Sequence, residues 1–398
     1  MRILLSAYAC EPGKGSEPEV GLRVMLAAAQ RHDVWVLTRE NNISGLKEYL
    51  SQHPLRDRIR LHGIDLHGPV RRFKHTGLPG LHVYYDAWQR LAAIRAAELD
   101  SRFNFDVVHH ATFATYWTRA GVSRLGKPFV WGPVGGGVST PASLVRELGA
   151  TGLREEALRE TARRLAVIRP SHRATTRAAT ISLAQNPSTA RRLRNMRVSV
   201  LPNALTVRLP DMNVPEGARG TDIAFVGRLI PLKGARLAVR TLRHVQHRNT
   251  VLRVFGEGPD RRRVQQAAER WGLQDRVILM GSLPRDELLR KVRRCGVLLH
   301  PALHEEAGLS VAEALVLGTP VVCLDHGGPA EVVRWWTSTR VALVSPSDPE
   351  STARRLAAAV DAFLDEPPKP PTEPVLPLAS FESLLLDAYD EAVALASM

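Results

Sequence analysis

Two segments of the 398-residue chain hold side chains suited to a charged, hydroxyl-rich ligand. In GRLIPLKG (227–234) an apolar strand ends at Gly227, Arg228 follows it, and Lys233 and Gly234 come five and six residues after that arginine. Two cations at the carboxyl end of a strand, ahead of a helix, suit a diphosphate through charge and through the unpaired N–H groups of the helix start, although solvated surface cations are the commoner reading of this segment alone. In HEEAGLSVAEAL (304–315), Glu305 follows the strand GVLLHP, Gly308 permits close backbone approach, and a helix starts around Leu309 or Ser310 with Glu313 one turn in. Carboxylates accept hydrogen bonds from vicinal hydroxyls, so this pair suits a ribose on one side and a sugar on the other.

A third segment, ACEPGKGSEPE (9–19), places Lys14 between Gly13 and Gly15 after an apolar run. It is not a Walker A loop, because Gly15 separates Lys14 from Ser16. The glycines allow a tight turn, Ser16 and Glu19 have capping-box spacing, and a helix is expected from about Glu17. The helix start makes an anion site of the loop, though Glu17 and Glu19 use part of the positive dipole end. A turn without a ligand is an equal reading of these residues alone.

Short apolar strands alternating with amphipathic helices must position these segments. Ile3–Ala7, VWVLT (34–38), RIRLHGI (58–64), DVVHHA (106–111), PFVWG (128–132), ISLA (181–184) and VSVLPN (198–203) form a first series. IAFVG (223–227), LRVFG (252–256), RVILMG (276–281), GVLLHP (296–301), PVVCLD (320–325) and RVALVSP (340–346) form a second. The alternation predicts two α/β domains with parallel sheets covered on both faces, where ligands sit at strand carboxyl ends. The irregular stretch DMNVPEGARGTD reads as the linker, PPKPP (367–371) as a helix breaker, and SFESLLLDAYDEAVALA (380–396) as a last amphipathic helix. The expected domains are 1–202, a linker 203–220, 221–372, and a final helix within 373–398 that returns to the first domain.

A net charge of +14 suggests an anionic partner, although a solvated basic surface is the commoner origin of such an excess. Nucleic-acid binding would need aromatics interleaved with cations, and at 6% aromatic content no such array is present. Cys10, Cys295 and Cys323 are too few and scattered for a disulfide framework or a zinc site, which points to a reducing cytoplasm. The opening ILLSAYAC imitates a short signal segment but reads as the first strand. No uninterrupted apolar run reaches the ~18 residues of a membrane span.

GRLIPLKG, FGEGP (255–259), the Glu305 to Glu313 spacing and GTPVV (318–322), in this order, resemble the retaining GT-B glycosyltransferases of family 4. VLPNAL (200–205), CEPGKGSEPEVG (10–21) and PFVWGPVGGG (128–137) extend the resemblance into the first domain. The resemblance implies two Rossmann-like domains facing across a cleft, a nucleotide-sugar donor on the second, transfer with retention and no metal. By position, Arg228 and Lys233 would neutralise the diphosphate, Glu305 would hold the transferred sugar, and Glu313 would bind the ribose. Gly227, Glu257, Gly308 and Leu309 would complete the donor site, with Gly13, Lys14 and Gly15 closing over it or lining the acceptor pocket. UDP is the favoured base because it is the commonest donor in such a family; GDP, ADP and dTDP stay open.

The sequence departs from the family pattern in three places. Glu306 and Ala307 stand where Gly and an aromatic are usual, which leaves the Glu305 versus Glu306 register open. Gly132 and Pro133 occupy the place of the common histidine, and VLPNAL has Ala204 in place of Gly. His109, His110, Glu17, Gly135 and Gly136 are acceptor-side candidates. The acceptor is a hydroxyl compound left open among small molecule, natural product, polysaccharide and lipid. The basic regions 147–179 and VRRFKH (70–75) suit contact with anionic headgroups at the cytoplasmic membrane face, and Glu11, Glu17 and Glu19 suit a cationic or polyol acceptor. A sugar-nucleotide epimerase or hydrolase on the same fold is the nearest alternative.

Overall fold

The computed structural model describes residues 1–14, 16–66, 77–193, 196–207, 219–336, 340–366 and 378–398. Gly15, VRRFKH, most of the expected linker (208–218) and PPKPP lie outside the described residues.

Strands β1 (Arg2–Ser6), β2 (Asp33–Arg39), β3 (Ile59–Ile64), β4 (Val107–His110), β5 (Phe129–Val134), β6 (Ile181–Ala184) and β7 (Val198–Val200) form one sheet. Its order is β3-β2-β1-β4-β5-β6-β7, and all of its pairs are parallel. Strands β8 (Ile223–Val226), β9 (Leu252–Phe255), β10 (Val277–Gly281), β11 (Val297–His300), β12 (Val321–Leu324) and β13 (Val341–Val344) form a second parallel sheet, ordered β10-β9-β8-β11-β12-β13. Parallel strands covered on both faces have no solvent side, so their sequences run apolar without alternation. β12, VVCL, is buried at every residue for this reason. Chain order reverses between β1 and β4 in the first sheet and between β8 and β11 in the second. At such a reversal, neighbouring connections leave in opposite directions and open a crevice at the strand carboxyl ends.

The chain forms two compact units. The first comprises residues 1–137, 161–206 and 378–398; the second comprises 138–160 and 207–377. Trp35, Trp88, Trp131, Phe105 and Phe129 lie in the core of the first. The last helix, Leu378–Ala396, belongs to that unit, and Phe381, Leu385, Tyr389 and Ala392 recur at one helical face and are buried. Phe225, Leu237, Leu299 and Val322 anchor the core of the second unit. Leu144 and Leu148 are fully buried in that same core, which accounts for the grouping of residues 138–160 with it.

Local chemistry sets several helix starts. Asp348 accepts from Glu350 N and Ser351 N at 3.1 and 3.0 Å, with Pro349 in the first helical turn of Pro349–Asp365. Asn186 caps Pro187–Arg192 by accepting from Thr189 N at 2.9 Å. The basic region 147–179 forms the helices Gly149–Val167 and Pro170–Ala178. No helix among the described residues is long and apolar enough to cross a membrane.

Candidate functional site

The crevice between β8 and β11 brings together the loop 227–234 and the loop 301–308. Glycines fix the first against its neighbours. Gly256, at φ 133°, passes so close to the Gly227 carbonyl that a Cβ would fall 2.1 Å from its oxygen. Gly258 passes the Leu229 carbonyl in the same way, with 2.3 Å left for a Cβ. Gly227 N donates to Phe255 O at 3.0 Å and Leu229 N to Glu257 O at 2.9 Å, so FGEGP holds the cationic loop in place. Gly234, at φ 73°, lies against the Pro301 carbonyl and ties that loop to the exit of β11. The second loop rests on a glycine turn, where Gly328 N donates to Glu305 O at 2.9 Å.

Within this frame the Lys233 ammonium rests on the Glu305 carboxylate, with side chains 24% and 16% exposed. Burial, then repulsion from Arg228, draws the Lys233 pKa down to about 8. The ion pair with Glu305 works in the opposite sense, and lysine stays charged at neutral pH. Arg228 is exposed and forms no side-chain ion pair among the described residues. The site therefore holds one neutralised cation and one free one.

The two adjacent glutamates diverge. Glu306 Oε1 accepts from Val138 N at 3.0 Å and lies 3.6 Å from His304 Nε2. His304 Nδ1 in turn lies 3.0 Å from Glu156 Oε1. Burial opposes the Glu156 charge but is outweighed by His304, the Thr140 N–H and Arg159, which bring its carboxyl to about 2. Glu305, and not Glu306, is thus the carboxylate on the lysine.

Gly308, at φ 73°, precedes the helix Leu309–Val316, which no side chain caps. Glu313 Oε1 accepts from Arg285 Nη2 at 3.0 Å and Nε at 3.2 Å, while its Oε2 accepts nothing from the described residues. Burial raises the Glu313 pKa, and Arg285 pulls the other way. The sequence reading missed Arg285, because no local spacing links residues 285 and 313. His300 ends β11 neutral, its pKa lowered to about 3 by burial and then by Lys233. Glu257 pairs with Arg261 at 2.7 Å and meets the cationic loop through its backbone.

In the first unit, Lys14 pairs with Glu11 at 2.5 Å and Glu19 with Arg23 at 2.6 Å. Gly13 takes φ 72° in open space. Glu17 accepts from Phe113 N at 3.1 Å, and burial raises its pKa. His109 has both ring nitrogens engaged, Nδ1 with Tyr389 Oη at 2.7 Å and Nε2 with Gly132 O at 2.6 Å. Since a carbonyl only accepts, Nε2 carries the proton and Nδ1 accepts from the tyrosine. Burial lowers its pKa to about 4, against the Gly132 bond. His110 lies 3.0 Å from Tyr85 Oη, its pKa brought to about 3 by burial and then by His109. Gly135 N donates to Ala114 O at 2.8 Å, and a Cβ on Gly136 would fall 2.1 Å from the Trp117 ring. Close packing accounts for Gly136.

Residues 215–370 match the family described as glycosyl transferases group 1. The chain is 37% identical over 150 residues to 2-deoxystreptamine glucosyltransferase of Streptomyces kanamyceticus, covering 37% of each chain. It is 34% identical over 158 residues to 2-deoxystreptamine N-acetyl-D-glucosaminyltransferase of Streptomyces fradiae, covering 36% of this chain and 38% of that one. The matches thus span less than two fifths of these relatives' length. Among solved structures, HepE of Anabaena in complex with UDP superposes with TM-score 0.55 at 15% identity, over 97% of this chain and 99% of that one. Sucrose-phosphate synthase of Thermosynechococcus elongatus does so with TM-score 0.56 at 16% identity, over 99% of both. Residues 215–370 therefore carry the pattern of glycosyl transferases group 1, within a chain whose fold is that of the GT-B glycosyltransferases.

Proposed function

We propose that this chain is a retaining, metal-independent glycosyltransferase that moves a sugar from a nucleotide-sugar donor to a hydroxyl acceptor. The observation that carries the reading is the free Arg228 beside a Lys233 held on Glu305, at the crevice between β8 and β11. A donor diphosphate engages Arg228 and competes with Glu305 for Lys233, releasing the Glu305 carboxylate to the hydroxyls of the sugar. Glu313 offers Oε2 to the ribose while Arg285 holds Oε1. The N–H groups of Gly308 and Leu309 face donor oxygens, and Gly227 lets the backbone approach.

In the transfer, the bond from the anomeric carbon to the diphosphate oxygen breaks and its electron pair leaves on the diphosphate. The acceptor oxygen forms the new bond on the same face and gives its proton to the departing diphosphate. Negative charge grows on the leaving group, where fixed cations act most strongly on the barrier. Arg228 and Lys233 supply the charge a metal ion would otherwise provide. The match of residues 215–370 and the UDP complex of HepE support a UDP-sugar as the first donor to test. The names of the two Streptomyces relatives support a polyhydroxylated small molecule as acceptor.

Thermal shift with UDP, GDP, ADP and dTDP in EDTA, on wild type and Arg228→Ala, tests the donor site. A nucleotide at 100 times its dissociation constant stabilises by about 2.7 kcal/mol. One nucleotide is expected to stabilise wild type, with a much smaller effect on the variant. Equal responses from both proteins, or none from either, refute the assignment. The anomeric configuration of the product, read by NMR, tests retention.

A further inference from the structure

A cavity of about 410 Å³ in the second unit shares no lining residue with the donor site. Arg236 and Arg240 enter it from one face of the helix Ala235–Leu242, one turn apart. Arg263 and Arg270, two turns apart, come from the helix Arg261–Arg270, which Trp271 follows. Arg146 comes from the turn Ala142–Leu148, and Glu147 is the sole acidic lining residue. Collecting guanidinium groups is unfavourable unless anions hold them. Three of the five are held: Glu147 accepts from Arg240 at 2.9 Å, and Asp260, 2% exposed, lies 3.3 Å from Arg236 and 3.4 Å from Arg263. Arg240 also stacks over Trp271, 5.0 Å from the ring centroid.

Arg146 and Arg270 form no side-chain ion pair among the described residues, and both are exposed at this cavity. The acids and the indole thus fix three forks, and two more carry surplus charge. Planar guanidinium groups match phosphate oxygens in paired hydrogen bonds. The volume lies within the range of small-molecule sites. We propose that this cavity is a second anion site, binding a soluble phosphate anion of two or more charges such as pyrophosphate. The site stands independently of the donor reading, because neither its residues nor its ligand is drawn from the Arg228 and Lys233 loop.

The test uses the full chain and inorganic pyrophosphate in EDTA, at constant ionic strength, in an Arg228→Ala background. Pyrophosphate is expected to raise the melting temperature of Arg228→Ala, and adding Arg146→Glu and Arg270→Glu is expected to weaken binding at least tenfold. Both arginines are exposed and unpaired, so the fold tolerates their exchange. Quenching of Trp271 is the local readout and is expected to vanish in Trp271→Phe. Binding retained within twofold after the two arginine changes overturns the site. So does an equal shift from chloride, no shift in the Arg228→Ala background, or a quench that survives Trp271→Phe. A protein that binds no nucleotide yet shows the expected pyrophosphate response loses the donor assignment and keeps this one.

Discussion

Replacing Glu305 by Gln separates the two tasks assigned to that carboxylate. Without donor it neutralises Lys233, so a diphosphate must first take the lysine away from it. Two unit charges ~4 Å apart interact by about 4 kcal/mol at an effective dielectric constant near 20. Both side chains keep some exposure, 24% and 16%, and an incoming diphosphate replaces much of the lost contact. We take about 1–2 kcal/mol as the part that opposes binding, equal to roughly a 5–30-fold change in affinity. Glu305→Gln is therefore expected to bind the nucleoside diphosphate more tightly by that factor. Turnover moves the other way: a hydrogen bond to a charged group is worth about 1.5–3 kcal/mol, so loss of the sugar contact lowers kcat by roughly 10–100-fold. Calorimetry with the free diphosphate and initial rates with the sugar donor, both at pH 7 in EDTA, measure the two effects. At that pH Lys233 of the wild type is charged, since its pKa is about 8. A variant that binds the diphosphate more weakly, or that turns over at the wild-type rate, refutes the competition between carboxylate and diphosphate.

Two further predictions concern the frame. His109 is buried neutral with a pKa near 4, below its ordinary 6.5, so the unfolded chain binds a proton more readily between those values. Stability is fully present above about pH 6.5 and is lost as pH falls toward about 4, by about 3 kcal/mol from this group. Urea midpoints against pH should show a shallower acid limb in His109→Asn than in wild type; superimposable limbs refute the assignment. Gly234 and Gly13 share positive φ, at 73° and 72°, but only Gly234 meets a backbone atom, the Pro301 oxygen, 2.1 Å from the position of a Cβ. Gly13→Ala is expected to cost about 1 kcal/mol through strain alone, and Gly234→Ala about 3 kcal/mol or more. Equal unfolding midpoints for the two variants contradict this ordering.

The inner strands were legible because strands covered on both faces write themselves as largely apolar runs. Each expected run contains or overlaps an observed strand, and ISLA coincides with β6 to the residue. Ends moved by one to three residues where backbone pairing, not hydrophobicity, decides the limit. The sheet to which a helical segment adds its apolar side chains was not legible. Residues 138–160 come before β6 in the chain, yet Leu144 and Leu148 complete the core built on β8 to β13. Helical periodicity reports that a face is buried and says nothing about the partner.

The same distinction separates the legible from the illegible part of the site. Gly256, Gly258 and Gly234 announce themselves, since a backbone crossing that close admits no side chain. Charge partners carry no such mark. Glu305 and Glu306 are chemically identical neighbours, and their register becomes definite only when Val138 N–H and His304 claim one while Lys233 claims the other. Spacing singled out Glu313, but nothing in it pointed to Arg285, which occupies its Oε1. Lys14, set between two glycines, is paired with Glu11, which its spacing did not announce. Of the cations marked for the donor site, Arg228 alone keeps its charge unpaired among the described residues, and for that reason nucleotide binding should depend on it first.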